Sequence, residues 1–242
     1  MISVCIATHN GEKYIKSQVE SILKQIGLFD EVIVSDDSSE DSTLEILQSI
    51  NDKRIIILNH APSVGLKKHQ YATRNFENAL NNAKGDYIFL ADQDDVWVDN
   101  KVEIMLKYLK DYCYVVSDCY VTDDNLNITS ETRFTPESGI TKNKYLAFIK
   151  STPFQGSCAA FRREVLKKAL PFPKEIQSHD RWLGFVAAFY FSSIIIPDRL
   201  IYYRRHKEAT STGAEGKSDE SIFGRVANRI EYIKGLISIR KR

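Results

Sequence analysis

Residues 91–97, ADQDDVW, place three carboxylates in four positions directly after the apolar run YIFL. Asp92, Asp94 and Asp95 repel one another there, and a hard divalent cation is the simplest way to offset that repulsion. Mg²⁺ or Mn²⁺ prefers oxygen ligands, and Mg²⁺ is usually held by one or two carboxylates together with substrate phosphates. Asp92 and Asp94 can supply those oxygens and leave positions open for a nucleotide diphosphate. An isolated D-x-D also fits a solvated acidic turn or a helix cap, because the tripeptide is common. A second acidic turn, VSDDSSED, sets Asp36 and Asp37 behind another apolar run. A carboxylate there can accept from a nucleobase N–H or a ribose hydroxyl. It can equally belong to a capping box for the next helix, shared with Ser38, Ser39 or Asp41.

The elements that must carry these acids read as strand–helix alternation. ISVCIAT is a continuous apolar run, expected of a strand covered on both faces. Ile15, Val19, Ile22, Leu23 and Ile26 then recur at helical spacing. EVIVS, RIIIL, DYIFL and CYVVS are four further strands, separated by helical patterns around Leu44–Ile50, Ala72–Ala83 and Val102–Leu109. Such alternation predicts an α/β fold with a mostly parallel central sheet flanked by helices. Ligands of such sheets lie beyond the carboxyl ends of the strands, where THN, SDDSS and ADQDD all fall. The second half is less regular. DDNLNITSETRFTPESG reads as a loop or short hairpin, GSCAAFRREVLKKAL as a strand into a helix, and WLGFVAAFYFSSIII as a buried helix running into a strand. LIYYRRH is a late strand.

The chain of 242 residues is 43% hydrophobic with a net charge of +1, so bulk electrostatics gives no reason to expect nucleic acid as a partner. Four scattered cysteines without a CxxC read as reduced core residues, as in a cytoplasmic protein. The start, MISVCIATHN, lacks the basic region of a secretory signal.

Four stretches, SVCIATHN, DEVIVSDDSSEDST, GLKKHQYATRNFENALNNAKGDYIFLADQDDVW, and GSCAAFRREVL before SHDRW, resemble the inverting family 2 glycosyltransferases of the GT-A fold. The resemblance covers residues 1–206 as one domain, with a nucleotide-binding half to residue 118 and an acceptor half over 119–206. It implies a UDP- or dTDP-type nucleotide-sugar donor lying across the strand ends. Thr8 and His9 would then border the base, with His9 stacking on it, and Glu12 would approach the ribose. Asp37, with Asp36 the less certain partner, would hydrogen-bond the base. Arg74, and more weakly Lys67, would lie near the donor. Asp92 and Asp94 map to the D-x-D, with Asp94 the direct ligand of Mn²⁺ or Mg²⁺, and Asp95 would shape the sugar pocket. Asp180 in SHDRW would be the catalytic base, its alternative being a helix N-cap paired with Arg181. His206 would complete the metal shell or, with Arg204 and Arg205, reach the diphosphate, unless YYRRH is a solvated edge strand. HD stands where ED or EE is commoner in the family, which suits enzymes building bacterial surface polysaccharide such as O-antigen or capsule. The acceptor would be a saccharide or a lipid-linked saccharide.

A polar linker over 207–221 precedes a C-terminal amphipathic helix over 222–242. In that helix Phe223, Val226, Ile230, Ile233, Leu236 and Ile237 form a stripe among basic residues. It fits either peripheral membrane contact or docking on the domain or a second copy in a homodimer. Two rival functions remain. A nucleotidyltransferase would carry a glycine-rich, basic signature where ATHNGEKY stands, and an inactive nucleotide-sugar-binding module would not need Asp92, Asp94 and Asp180 together.

Overall fold

The computed structural model describes residues 1–61, 65–134, 154–206 and 222–240. β1 (Ile2–Thr8), α1 (Ile15–Leu23), β2 (Glu31–Asp36), α2 (Thr43–Ser49), β3 (Ile55–Asn59), α3 (Lys68–Asn82) and β4 (Tyr87–Asp92) alternate as the apolar periodicity predicts. Val4, Cys5 and Ile6 are consecutive and fully buried, which is possible only because helices cover both faces of β1. Burying such a side chain contributes about 1.5–3 kcal/mol, so the central strands are held firmly. Register does the functional work. Thr8 pairs with Asp36, and Ala7 with Asp92, so three parallel strands deliver their last residues to one rim.

After β4 the chain changes style. β5 (Val96–Trp97), α4 (Lys101–Tyr108), β6 (Tyr114–Thr122) and β7 (Ile128–Ser130) follow, and β6 with β7 forms the short hairpin expected of the polar stretch. A 3₁₀ turn (Gly156–Cys158) leads into β8 (Ala159–Arg162) and α5 (Glu164–Ala169). α6 (His179–Tyr190), β9 (Ser193–Arg204) and α7 (Ile222–Arg240) complete the fold. Among the described residues the sheet order is β3-β2-β1-β4-β8-β6-β9-β5, with β7 on β6. The parallel character expected of the sheet belongs to β3-β2-β1-β4 and to the β6–β9 pair. β8 runs antiparallel to both neighbours, and β5 antiparallel to β9, so the whole sheet is mixed. Regular βαβ crossovers end where the helical periodicity of the sequence ends.

The four cysteines are unpaired. Cys5, Cys119 and Cys158 are buried, as read from the sequence. Trp97 packs under the acidic loop against Phe89, and Trp182 is core, its indole N–H donating to the Ala169 carbonyl at 3.0 Å. No helix among the described residues is long and apolar enough to cross a membrane. The expected linker at 207–221 and the segment 135–153 lie outside the described residues.

Candidate active site

The rim begins with Gln93, the residue between the two aspartates of the D-x-D. Its side-chain oxygen accepts from the Thr8 hydroxyl (2.6 Å) and the His9 N–H (2.9 Å), and its NH₂ donates to the His9 carbonyl (3.1 Å). From α3, the buried Asn75 donates to the Thr8 carbonyl at 3.0 Å. The ends of β1 and β4 are thereby tied together. His9 is exposed, and its Nδ1–H donates to the Asp37 carbonyl at 2.8 Å. Thr8, His9 and Asp37 thus converge as expected.

The Asp36 carboxylate is consumed locally. It accepts from the Ser39 N–H (2.9 Å) and hydroxyl (2.6 Å), which closes a local turn; it does not cap α2, whose N-cap position is Ser42. Asp37 holds His60 Nδ1 at 3.0 Å through Oδ1, while Oδ2 has no partner among the described residues. Two expected residues do not join the site. Glu12 accepts from the Ser42 N–H at 3.0 Å, so its carboxylate closes the turn before α2. Arg74 binds Glu77 at 2.5 Å and the carbonyls of Pro173 (2.7 Å) and Lys174 (2.9 Å). Its guanidinium clamps the 172–174 segment to α3 instead of facing a donor. Lys67 is exposed at the start of α3.

The acids after β4 behave differently. Burial, then the negative charges of Asp94 and Asp180, push the Asp92 carboxyl up to about 7. Burial with Asp94 and Asp92 holds Asp95, which has no exposed surface, well above the usual carboxylate range. The Arg204 N–H donates to Asp95 Oδ1 at 3.1 Å. Asp94 Oδ2 lies 2.8 Å from His206 Nε2, so the end of β9 reaches the D-x-D as expected. Arg204 itself donates to the carbonyls of Asp94 (2.9 Å) and Asp124 (2.6 Å) and lies 4.6 Å over the Tyr14 ring. It fastens the loop, and the solvated-edge alternative fails for it. Among the described residues no three His, Cys, Asp or Glu side chains form a ready-made metal cluster. The donor set still suits a hard cation. Carboxylates gathered with too little positive charge are driven towards protonation, and a cation sharing its shell with phosphate oxygens would relieve them.

Asp180 reaches this rim from 88 positions further along the chain, and its charge is felt by Asp92. The N-cap of α6 is Ser178, and Asp180 sits in its first turn. Asp180 Oδ1 accepts from the Ser178 hydroxyl and from the Arg181 N–H at 2.6 Å. Oδ2 has no hydrogen-bond partner among the described residues. His179 stacks on Phe76 at 3.9 Å, and burial lowers its pKa, so it is a neutral packing residue.

The link between the two acid groups is the 3₁₀ turn, to which the sequence reading gave no role. The Ser157 hydroxyl supports the charged forms of Asp92 and Asp95, while Gly156 backs onto α6. A Cβ on Gly156 would stand 2.9 Å from His179 Nε2, so only glycine lets the turn approach so closely. Beneath it, the fully buried Lys101 donates to the Ser157 carbonyl at 3.2 Å, and burial lowers its pKa to about 8. Arg133, over the Tyr203 ring at 4.6 Å, opposes the rise at Asp92. GSC stood within a quoted motif, so a signal existed for Ser157. For Lys101, a lysine in a first helical turn, none did.

The profile described as Glycosyl transferase family 2 matches residues 3–170. The chain belongs to that family. An uncharacterised glycosyltransferase of Methanocaldococcus jannaschii is 32% identical over 225 residues, 86% of this chain and 75% of the relative. A UDP-Glc:α-D-GlcNAc-diphosphoundecaprenol β-1,3-glucosyltransferase of Escherichia coli is 36% identical over 46% of this chain and 41% of its own length. The chain thus spans less than half of that enzyme. Among solved structures, Staphylococcus aureus TarS with UDP-GlcNAc superposes with a TM-score of 0.71 at 19% identity, over 99% of this chain and 71% of that one. A Pyrobaculum calidifontis mannosyltransferase with GDP-Man and Mn²⁺ gives 0.62 at 16%, over 99% and 73%. These likenesses establish the GT-A fold, and the sequence relatives include enzymes of bacterial polysaccharide synthesis.

Proposed function

We propose that the chain moves one hexose from a UDP- or dTDP-type donor to a hydroxyl of a saccharide or lipid-linked saccharide, with inversion, in bacterial surface-polysaccharide assembly. The observation that carries this is that Asp180 and Asp92 flank the same Gly156–Cys158 turn: a Cβ on Gly156 would stand 3.5 Å from Asp180 Cβ, and Oδ2 of Asp180 has no hydrogen-bond partner among the described residues. Inversion requires a hydroxyl to attack one face of the sugar while the diphosphate leaves from the other. Oδ2 of Asp180 accepts the proton of the attacking hydroxyl as the new bond forms. Thr8, His9 and Asp37 orient the nucleoside, and Asp95 borders the sugar. Asp94 and Asp92, with His206 beside Asp94, would hold Mn²⁺ or Mg²⁺, which supplies charge stabilisation for the departing diphosphate. Family membership argues against a nucleotidyltransferase, and the assembled acids argue against an inactive module.

A panel of nucleotide sugars with Mn²⁺, scored for donor hydrolysis and transfer, tests the reading. Asp180→Asn should keep nucleotide binding and lose transfer by about 10²–10⁴-fold, the usual contribution of a positioned base. Normal turnover in that variant would remove Asp180 from the mechanism.

The same reading places the protein in the cytoplasm at the inner face of the membrane. α7 turns Tyr232, Leu236 and Ile239 inward and leaves Ile230, Ile233 and Ile237 exposed, with Arg229, Lys234 and Arg240 on the same helix. An apolar stripe with basic neighbours suits an anionic lipid surface. The side chains of Phe223 and Val226 lie outside the described residues. The Ile233→Asp/Ile237→Asp variant should lose sedimentation with anionic vesicles while keeping turnover on a soluble acceptor. Loss of a dimer in that variant, with vesicle binding unchanged, would assign the stripe to a second copy instead.

A further inference from the structure

Asp180 lies at the start of α6, and the residues just before it are held from two sides. On one side is α3 of the nucleotide half. The Thr73 hydroxyl donates to the Gln177 carbonyl at 2.9 Å, and Gln70 donates to the Lys174 carbonyl at 3.2 Å. On the other side is α7. Gln177 and Asn228 exchange side-chain amide hydrogen bonds of 2.7 and 3.3 Å, and the Tyr232 hydroxyl donates to the Ser178 carbonyl at 3.4 Å. Ser178 in turn donates its hydroxyl to Asp180 Oδ1. All three of these α7 hydrogen bonds therefore fall within three residues of Asp180.

The rest of α7 fixes where those two groups stand. The Tyr232 ring meets Phe185 edge-on at 5.4 Å, and the Tyr190 hydroxyl donates to the Leu236 carbonyl at 2.7 Å. A Cβ on Gly235 would stand 2.9 Å from the Trp182 ring and 3.0 Å from Pro173. The two helices are seated so closely that α7 cannot shift without moving α6. Helices that merely cover a core need only an apolar contact. Besides the Tyr190–Leu236 bond at the far end of α6, this one adds three hydrogen bonds to the two residues that precede the α6 helix and its first acid.

We propose that α7 is a strut for the acceptor side of the reaction, with Asn228 and Tyr232 as positioning residues that set Asp180 through Gln177 and Ser178. This rests on the reading of Asp180 as the base. It adds that a helix which begins 42 positions later in the chain decides whether that carboxylate meets the incoming hydroxyl. Displacing a reacting group by about 1 Å can cost about 10²-fold in rate, so the strut acts on turnover and leaves donor affinity alone.

The experiment uses the full chain and steady-state transfer with varied donor. Tyr232→Phe keeps the ring and its packing and removes only the hydroxyl, and Asn228→Ala removes the amide pair. The double variant should lower kcat by about 10–100-fold, with donor KM and nucleotide affinity within about twofold of the parent. Exchanging the pair as Gln177→Asn with Asn228→Gln restores its span and should recover most of the kcat that Asn228→Ala loses. A double variant that keeps parental kcat while Asp180→Asn is inactive would overturn the strut and leave the base standing. Equal loss of nucleotide affinity and kcat would also overturn it, since that marks general disruption. If Asp180→Asn transfers normally, the base reading falls and the strut falls with it.

Discussion

The protein carries two acidic turns at the ends of the strands that flank β1, and they are opposite in kind. In the turn after β2, both leading acids have a partner: Asp36 takes both groups of Ser39, and one oxygen of Asp37 takes His60 from beyond β3. In the turn after β4, Asp92 and Asp95 crowd each other and Asp94, and their protonation is pushed upward. The first turn uses negative charge to build its own loop. The second accumulates charge that the described residues, His206 and Arg133 among them, answer only in part. The difference teaches that a run of aspartates becomes a candidate cation site only when the surrounding groups leave part of its charge unanswered.

The sharpest way to break this comparison is to remove the acids and compare activity. Asp94→Ala should reduce Mn²⁺-dependent transfer by about 10³-fold, since it removes several kcal/mol of charge stabilisation at the diphosphate. Asp37→Ala should raise donor KM with far less effect on kcat. Similar kcat losses at both turns, measured at saturating donor, would erase the distinction. Stability should respond in the opposite sense. Asp36→Ala deletes two part-buried hydrogen bonds made by a buried carboxylate and should cost about 1–3 kcal/mol, lowering the melting temperature by several degrees. Asp95→Asn keeps an acceptor for the Arg204 N–H and removes a buried charge. It should raise the melting temperature of metal-free protein by about 2–4 °C.

The gentlest test is pH. The Asp92 carboxyl ordinarily titrates at 3.8 and in the fold near 7. The unfolded chain gives up this proton first, so metal-free protein should lose stability as pH rises from about 4 to about 7. Thermal melts of Asp92→Asn across that range should show a shallower fall. An equal slope in both proteins would mean that Asp92 is not strained by its neighbours.

The sequence made the donor half legible because its signals are local. Apolar runs ending in THN, SDD and ADQDD located three strand ends, and register brought those ends level. Asp180 became the candidate base through the HDRW stretch of the family pattern. Where a role depends on tertiary neighbours, local pattern gave little. Arg74 and Glu12 have suitable charges at suitable positions, yet three backbone carbonyls and one N–H of distant segments claim them. Lys101 looks like a solvent-facing helix residue and is instead wholly buried beneath Ser157. The α7 stripe read as one face, but the fold splits it, taking Leu236 inward and leaving Ile233 and Ile237 outside. Antiparallel β8 was hidden for the same reason, since strand direction is not written in apolar content.

Gln93 has a consequence that reaches past its own hydrogen bonds. One amide joins the end of β1 to the turn after β4, so the two loops proposed to meet the nucleobase and the phosphates would form a single gauge of fixed length. Donors differing in the sugar can share this gauge. On the proposed reading, a donor with a third phosphate, or with none between nucleoside and sugar, would mismatch that length before its hexose made any contact, and inhibition by such analogues would measure it.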